Sequence, residues 1–349
     1  MKHTEAIELL QQLIATPSLS KEEDKTAAII ETFLRRKGAT VNRHLNNVWA
    51  KNKMFDAAKP TILLNSHHDT VKPNKGYTKD PFAPIIEDGK LYGLGSNDAG
   101  GALVSLLATF LHFYDKSFKY NLIFAATAEE EISGKNGIES LLPQLGKIDF
   151  ALVGEPTQMQ LAIAEKGLMV LDCTAKGKSG HAAREEGVNA IYKAIKDIDW
   201  FSTFQFPKVS PLLGPVKMNV TVMHSGTQHN VVPDTCEFTV DVRVNEYYKN
   251  EEALEIIKQH VECEVKARSL RLQPSFIDEA HPIVTAGKEL GLKVYGSPTI
   301  SDRALMPFPS LKIGPGDSAR SHIADEFIYI GEIEKGIDIY INMLNKLNA

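Results

Sequence analysis

Read for spacing alone, the chain alternates between helix-like and strand-like stretches. Ile7, Leu10, Leu13 and Ile14 recur at helical intervals behind Thr4, a candidate cap, and Pro17 follows their end. Ser20 and Glu23 form a capping-box pattern for a second helix, which Gly38 can terminate. Strand-like runs follow at 40–44, 47–51 and 61–65. The last contains Ile62, Leu63 and Leu64 and is apolar enough for the middle of a parallel sheet. The pattern then predicts a buried helix over 99–114, a strand over 121–126, a helix over 137–145 and a buried strand over 150–153. Strands alternating with helices predict an α/β layer architecture.

After Glu155 the rhythm changes. We read a strand at 168–175, a helix at 187–201, strands at 216–224 and 235–244, a helix at 250–260 and a strand at 264–269. This β-α-β-β-α-β order is the split βαβ of ferredoxin-like domains. It reads as an insertion over residues 166–275. Residues 1–165 and 276–349 then form the main domain, a mixed central sheet flanked by helices, closed by a helix over 333–347. The Pro-rich stretch 206–215 reads as an ordered loop. A length of 349 residues suits two domains.

Composition narrows the function. The chain is 43% hydrophobic and 24% charged, which excludes a disordered or coiled-coil chain. A net charge of −5 argues against nucleic acid or an anionic membrane as main partner. Cys173, Cys236 and Cys263 lie far apart, so we expect no disulfide framework and no thiolate metal site. Residues 1–15 are amphipathic, not a signal core, and 102–114 is too short and too interrupted to cross a bilayer. The expectation is a cytoplasmic protein.

The chemistry sits where strands stop. In LLNSHHDTV, His67 and Asp69 are two apart and share a face of extended chain, with His68 turned elsewhere. Asp69 can orient the His67 ring, although a solvated turn gives the same short pattern. Asp98 stands at the start of a predicted helix, where capping is the ordinary role of an Asp. Glu129, Glu130 and Glu131 follow the strand NLIFAAT, and three adjacent carboxylates repel unless they are solvated or met by cations. Glu155 ends another buried strand, and His322 follows the apolar run 311–313. Each is ordinary alone. Together, His67, Asp98, Glu131, Glu155 and His322 form a nitrogen–oxygen donor set, four of them at carboxyl ends of strands, where open α/β sheets bind ligands. Two imidazoles and three carboxylates suffice for two divalent ions with Asp98 as bridge. A set without thiolates suits zinc, with cobalt or manganese as substitutes.

The ordered motifs HHDTV, GSNDAGG, AEEEISG, LVGEP, SGHAA, HNVVPD, DVR and GPGDSARSH resemble the co-catalytic zinc aminoacylase and carboxypeptidase family over almost the whole chain. That family includes acetylornithine deacetylase, succinyl-diaminopimelate desuccinylase and peptidase T. The resemblance implies a zinc-peptidase-like catalytic domain and makes the ferredoxin-like insertion a lid and dimerisation domain. It makes His67 and Glu155 ligands of one ion, Glu131 and His322 ligands of the other, and Asp98 the bridge. It makes Asp69 the orienting partner and Glu130 the general base. The family usually has Asp-Glu-Glu where this chain has three glutamates, so Glu129 stays open as the base. His181 becomes an oxyanion donor, in its own or a partner's site. Asn230, Arg243, Gly314 and Gly316 become contacts to the substrate carboxylate. The expected reaction is removal of an N-acyl group from a small amino acid, N-acetylornithine or a close N-acetyl or N-succinyl ornithine or citrulline analogue in arginine biosynthesis. It needs two divalent ions, zinc with cobalt able to replace it, and a homodimer is the expected assembly. An aminopeptidase or dipeptidase on the same centre remains open, as does a non-catalytic binding protein. A succinyl substrate calls for a further cation, for which Lys72, Arg184 and Arg320 are candidates.

Overall fold

A computed structural model describes residues 1–348, which divide into two compact units. The first comprises Met1–Ile163, Phe276–Tyr295 and the chain from Ser301 onward; the second comprises Ala164–Ser275 and Gly296–Ile300.

The first unit is built on a mixed sheet. Its strands run in the order Val41–His44, Asn47–Lys51, Asn121–Thr127, Thr61–His67, Phe150–Val153, Ser310–Lys312 and Leu161–Glu165. Thr61–His67 lies parallel to both Asn121–Thr127 and Phe150–Val153, and Ser310–Lys312 extends the parallel block. Every residue of the first three of these is buried, as expected for strands covered on both faces. The register aligns their ends: His67 lies opposite Thr127, Asn65 opposite Val153, and Val153 opposite Lys312. The residues that follow each strand therefore emerge at one rim.

The helix Gly101–Phe113 is almost wholly buried and packs on the closing helix Ile330–Asn348 and on His3–Ile14. Its Leu103, Leu106, Leu107 and Phe110 are at most 1% exposed. Burying each such side chain contributes roughly 1.5–3 kcal/mol. Gly101, at the start of this helix, stands where a Cβ would fall 2.3 Å from Ile328 Cδ1.

Two start signals differ from expectation. The first helix begins at His3, with the Lys2 N–H donating to Glu5 at 2.9 Å, so Thr4 lies inside it. The second helix is Asp24–Arg36, and Ser20 does not cap it; its hydroxyl donates to Asp69 at 2.7 Å. Glu23 is buried and accepts from the Lys21 and Glu129 amides and from Asn46. A buried carboxylate outcompeted the local cap. The hairpin Ile85–Glu87 and Lys90–Tyr92, with Phe327–Tyr329, forms a small sheet that the hydrophobic pattern did not reveal.

The second unit contains Gly167–Lys176, helix Ala190–Thr203, strands Lys217–Ser225 and Thr235–Val244, helix Asn250–Lys258 and strand Glu264–Ala267. The antiparallel sheet runs Lys217–Ser225, Thr235–Val244, Gly167–Lys176, Glu264–Ala267, which is the ferredoxin-like order. Leu171, Phe238, Val240 and Val242 pack against Ala190, Ala194, Phe201 and Ile257 of the two helices. All three cysteines are free and buried here. The 206–215 stretch is held by Asn245, whose amide donates to Lys208 and Gly214 carbonyls at 3.0 Å each. No described helix is long and apolar enough to cross a membrane.

Candidate metal centre

His67 is the last residue of its strand and is 1% exposed. Its Nδ1 donates to the Asp69 main-chain carbonyl at 3.0 Å, and the Asp69 carboxylate lies 3.4 Å away. With Nδ1 donating, Nε2 carries a lone pair. That nitrogen is buried without a hydrogen-bond partner. It faces Asp98 at 3.4 Å, Glu155 at 3.8 Å and Glu130 at 4.0 Å. An acceptor ringed by carboxylates calls for a cation, so the donor set fits a divalent metal ion. Burial pushes the imidazole down, but Asp69, Asp98 and the glutamates outweigh it and raise its pKa well above the usual value. His68 points away, bonded to Thr26 at 2.9 Å and to the Asn46 carbonyl at 3.0 Å, and burial lowers it to about 4.

Asp98 does not cap the buried helix, which starts three residues later, and the Asp98–Ala99 peptide is cis. Its carboxylate is free to reach across: Oδ1 faces His67 and Oδ2 faces His322 Nε2 at 3.6 Å. One carboxylate thus offers an oxygen to each imidazole. Burial raises its pKa, but His67, Ser321 and His322 hold it below the ordinary carboxylate range.

The three glutamates diverge. Glu129 adopts φ +55° and turns its carboxylate to Asn136, accepting from the side-chain amide at 2.9 Å and the backbone N–H at 3.3 Å. Glu130 faces His67, and Glu131 meets His322 Nε2 at 3.0 Å. The turn is held by Asp69, whose two oxygens accept the Glu130 and Glu131 amides at 3.0 and 3.2 Å. Burial, together with Glu155, Asp302 and Glu131, raises Glu130 well above the usual carboxylate range despite His67. Burial also raises Glu131, against the pull of His322. The hydrogen bond to Glu131 raises half-exposed His322 to about 9.

Two acidic residues escaped the sequence reading. Asp302 accepts the Thr127 hydroxyl at 2.7 Å, and burial raises it to about 6. Glu326 is 1% exposed and accepts three backbone N–H groups, from Gly95, Asn97 and Asp98. Burial and the Asp98 charge raise it to about 8. The only signal for Glu326 was its place four residues after His322, before an apolar Phe-Ile-Tyr. With these, seven carboxylates surround two imidazoles, a density that stays folded most easily with cations bound.

Gly314 departs from expectation. Its N–H donates to the Thr157 hydroxyl at 3.0 Å, which takes it away from a ligand. It is needed for closeness instead: a Cβ there would sit 2.5 Å from the Glu155 carbonyl. Gly316 has φ +94° and lies against the Asn97 side chain. In the second unit, exposed His181 lies in a two-residue strand paired with Val231–Val232, its Nδ1 accepting from Ala183 at 3.1 Å. Asn230 is its neighbour, accepting the Ala182 N–H at 3.0 Å. Arg243 is paired with Asp241 at 2.8 and 3.1 Å. Arg320 is held by Glu332 at 2.7 and 2.9 Å, Arg184 faces Glu186 at 3.7 Å, and Lys72 is exposed.

Known proteins resemble this chain over nearly its whole length. The acetylornithine deacetylase of Proteus mirabilis is 29% identical over 94% of this chain and 93% of its own. The succinyl-diaminopimelate desuccinylase of Delftia acidovorans is 24% identical over 98% and 97%. Among solved structures, aminopeptidase PepT of Bacillus cereus shares the fold with a TM-score of 0.81 at 18% identity, covering 100% of both chains. The profile of Peptidase family M20/M25/M40 matches residues 63–346, and the chain belongs to that family of metal-dependent amide-hydrolysing enzymes.

Proposed function

We propose that this protein removes the acyl group from an N-acyl amino acid, N-acetylornithine or a close N-acetyl or N-succinyl ornithine or citrulline analogue, in arginine biosynthesis. The observation that carries the reading is Asp98, with one oxygen toward His67 and the other toward His322. Around that bridge, Glu155 stands with His67, and Glu131 with His322. These five residues would hold two divalent ions, zinc or cobalt in its place. When bound, the ions supply Lewis acidity that polarises an amide carbonyl and acidifies water.

Glu130 is the base in this reading. Its carboxylate faces the centre, whereas Glu129 is engaged by Asn136. Buried beside His67, it is placed to take a proton from the attacking water and pass it to the leaving nitrogen. Asp69 orients His67 and holds the Glu130–Glu131 turn. His181 would donate to the developing oxyanion, a contact typically worth about 2.7–4 kcal/mol. Asn230, Arg243 and Gly316 are assigned to the substrate carboxylate, for which Arg243 must exchange or share Asp241. A homodimer forms through the Lys217–Ser225 edge, which ends its sheet with Val222 and Met223 exposed beside exposed Tyr192 and Ile195. Three buried thiols suit the cytoplasm.

The test is turnover on a panel of N-acetyl, N-succinyl and N-carbamoyl amino acids and dipeptides, with and without zinc or cobalt. The expected result is metal-dependent release of a free α-amine, fastest from N-acetylornithine or its near analogues. Cleavage of dipeptides alone would move the reading to a peptidase. Two bound ions without any hydrolysis would leave a binding protein.

A further inference from the structure

The two segments that flank Asp98 and His322 are clamped together by one side chain. Glu326 Oε1 accepts the Asn97 and Asp98 N–H groups at 2.9 Å each, and Oε2 accepts that of Gly95 at 3.1 Å. Its main-chain carbonyl accepts the Gly93 N–H at 2.9 Å. Gly95 has φ +76°, which helps turn successive amides toward one carboxylate. The clamp has a second strand. Asn97 donates to the Asp317 carbonyl at 3.0 Å and accepts the Asp317 N–H at 3.0 Å. Segment 95–98 is therefore bonded directly to segment 317–326, which carries His322.

We propose that Glu326 is a positioning residue of the metal centre, acting through Asp98 by fixing its backbone against the loop that bears His322. The inference rests on the reading of Asp98 as the ligand shared by two ions. The spacing between the imidazoles of His67 and His322 is then set through the Asp98 backbone by a carboxylate whose oxygens are taken by main-chain N–H groups. Replacing the carboxylate by an amide keeps its size but presents an N–H₂ group to at least one backbone N–H. In the less costly orientation that group faces the Gly95 N–H, which is left unsatisfied, while the Asn97 and Asp98 N–H groups keep only an uncharged oxygen; the 95–98 turn loosens, and both ions weaken together. Outer-shell partners of metal ligands typically alter affinity by about 10–100-fold.

The experiment measures cobalt affinity by chelator competition, together with the visible spectrum of the cobalt-loaded protein, for wild type and Glu326→Gln. A control for fold stability is Asp197→Asn in the second unit. Asp197 is also a buried carboxylate that accepts two backbone N–H groups, from Glu262 and Cys263 at 2.9 Å each. The expected result is a loss of about 10–100-fold for both ions in Glu326→Gln with a changed spectrum, and wild-type affinity in Asp197→Asn. Wild-type affinity and spectrum in Glu326→Gln, or loss at one ion alone, would overturn the inference. Equal losses in Asp197→Asn would overturn it too, because a general loss of stability would then explain the effect. Should Glu326→Gln not fold, Glu326→Asp keeps the charge on a shorter arm: reduced affinity supports the clamp and unchanged affinity overturns it. A wild-type protein that takes up no cobalt overturns the metal reading itself and this inference with it.

Discussion

Replacing Asp69 with Asn tests how the carboxylate organises the rim. Asp69 is 1% exposed. Its Oδ1 accepts the Glu130 N–H at 3.0 Å and lies 3.4 Å from His67 Nδ1; its Oδ2 accepts the Ser20 hydroxyl at 2.7 Å and the Glu131 N–H at 3.2 Å. An asparagine must place its N–H₂ at one of these positions. At Oδ2 the cost is lower, since the Ser20 hydroxyl can rotate and accept. Even there the Glu131 amide faces a donor and is left unsatisfied, at about 1–3 kcal/mol. The remaining bonds lose their charge assistance, so the whole change costs about 2–4 kcal/mol. Denaturant unfolding of the metal-free protein measures this without the metal entering the balance. In a Trp200→Phe background, Trp49 is the sole tryptophan and reports on the first unit. A loss below about 0.5 kcal/mol, the range of an ordinary surface substitution, would refute the claim that Asp69 holds the Glu130–Glu131 turn.

Glu130→Gln is expected to retain metal and lose about 10²–10⁴-fold in kcat; wild-type turnover would remove Glu130 as the base. His322→Ala should reduce the metal content from two ions to about one, read by elemental analysis, since His67, Asp98 and Glu155 are untouched; full content would contradict the donor assignment. Gly314→Ala places a Cβ 2.5 Å from the Glu155 carbonyl and 2.9 Å from Ala102 Cβ, so it should cost about 1–3 kcal/mol in denaturant unfolding and weaken metal binding through a displaced Glu155. No change in either measurement would refute the close-approach argument. Val222→Glu puts a charge on the open strand edge of the second unit and should shift sedimentation from dimer to monomer; an unaltered dimer would move the interface elsewhere.

Three of the expected donors end or follow strands whose apolar pattern is visible in a short window. His67, Glu155 and the glutamate run all end such strands, and parallel register then gathers them. What escaped was long-range. Ser20 and Glu23 have the local signature of a cap, yet their partners are Asp69 and the Glu129 amide, far along the chain. Asp98 taken alone has the place of a cap, and only the company of the other donors makes it the expected bridge; in the structure its carboxylate faces His67. Glu326 and Asp302 depend on amides and hydroxyls brought together only by folding, so no spacing rule marks them. Gly314 was read for its N–H, whereas the structure uses its lack of a side chain.

The division of the donors along the chain has a consequence for biosynthesis. His67, Asp98, Glu131 and Glu155 precede the second unit, whereas His322 and its companion Glu326 follow it. Synthesis at about 5–20 residues per second therefore exposes an anionic half-cup for on the order of ten seconds before the closing loop leaves the ribosome. During that interval the nascent chain carries most of its negative groups without the imidazole that completes them. On the proposed ligand assignment only the second ion's site waits for the inserted unit to be made, because His67, Asp98 and Glu155 all precede it.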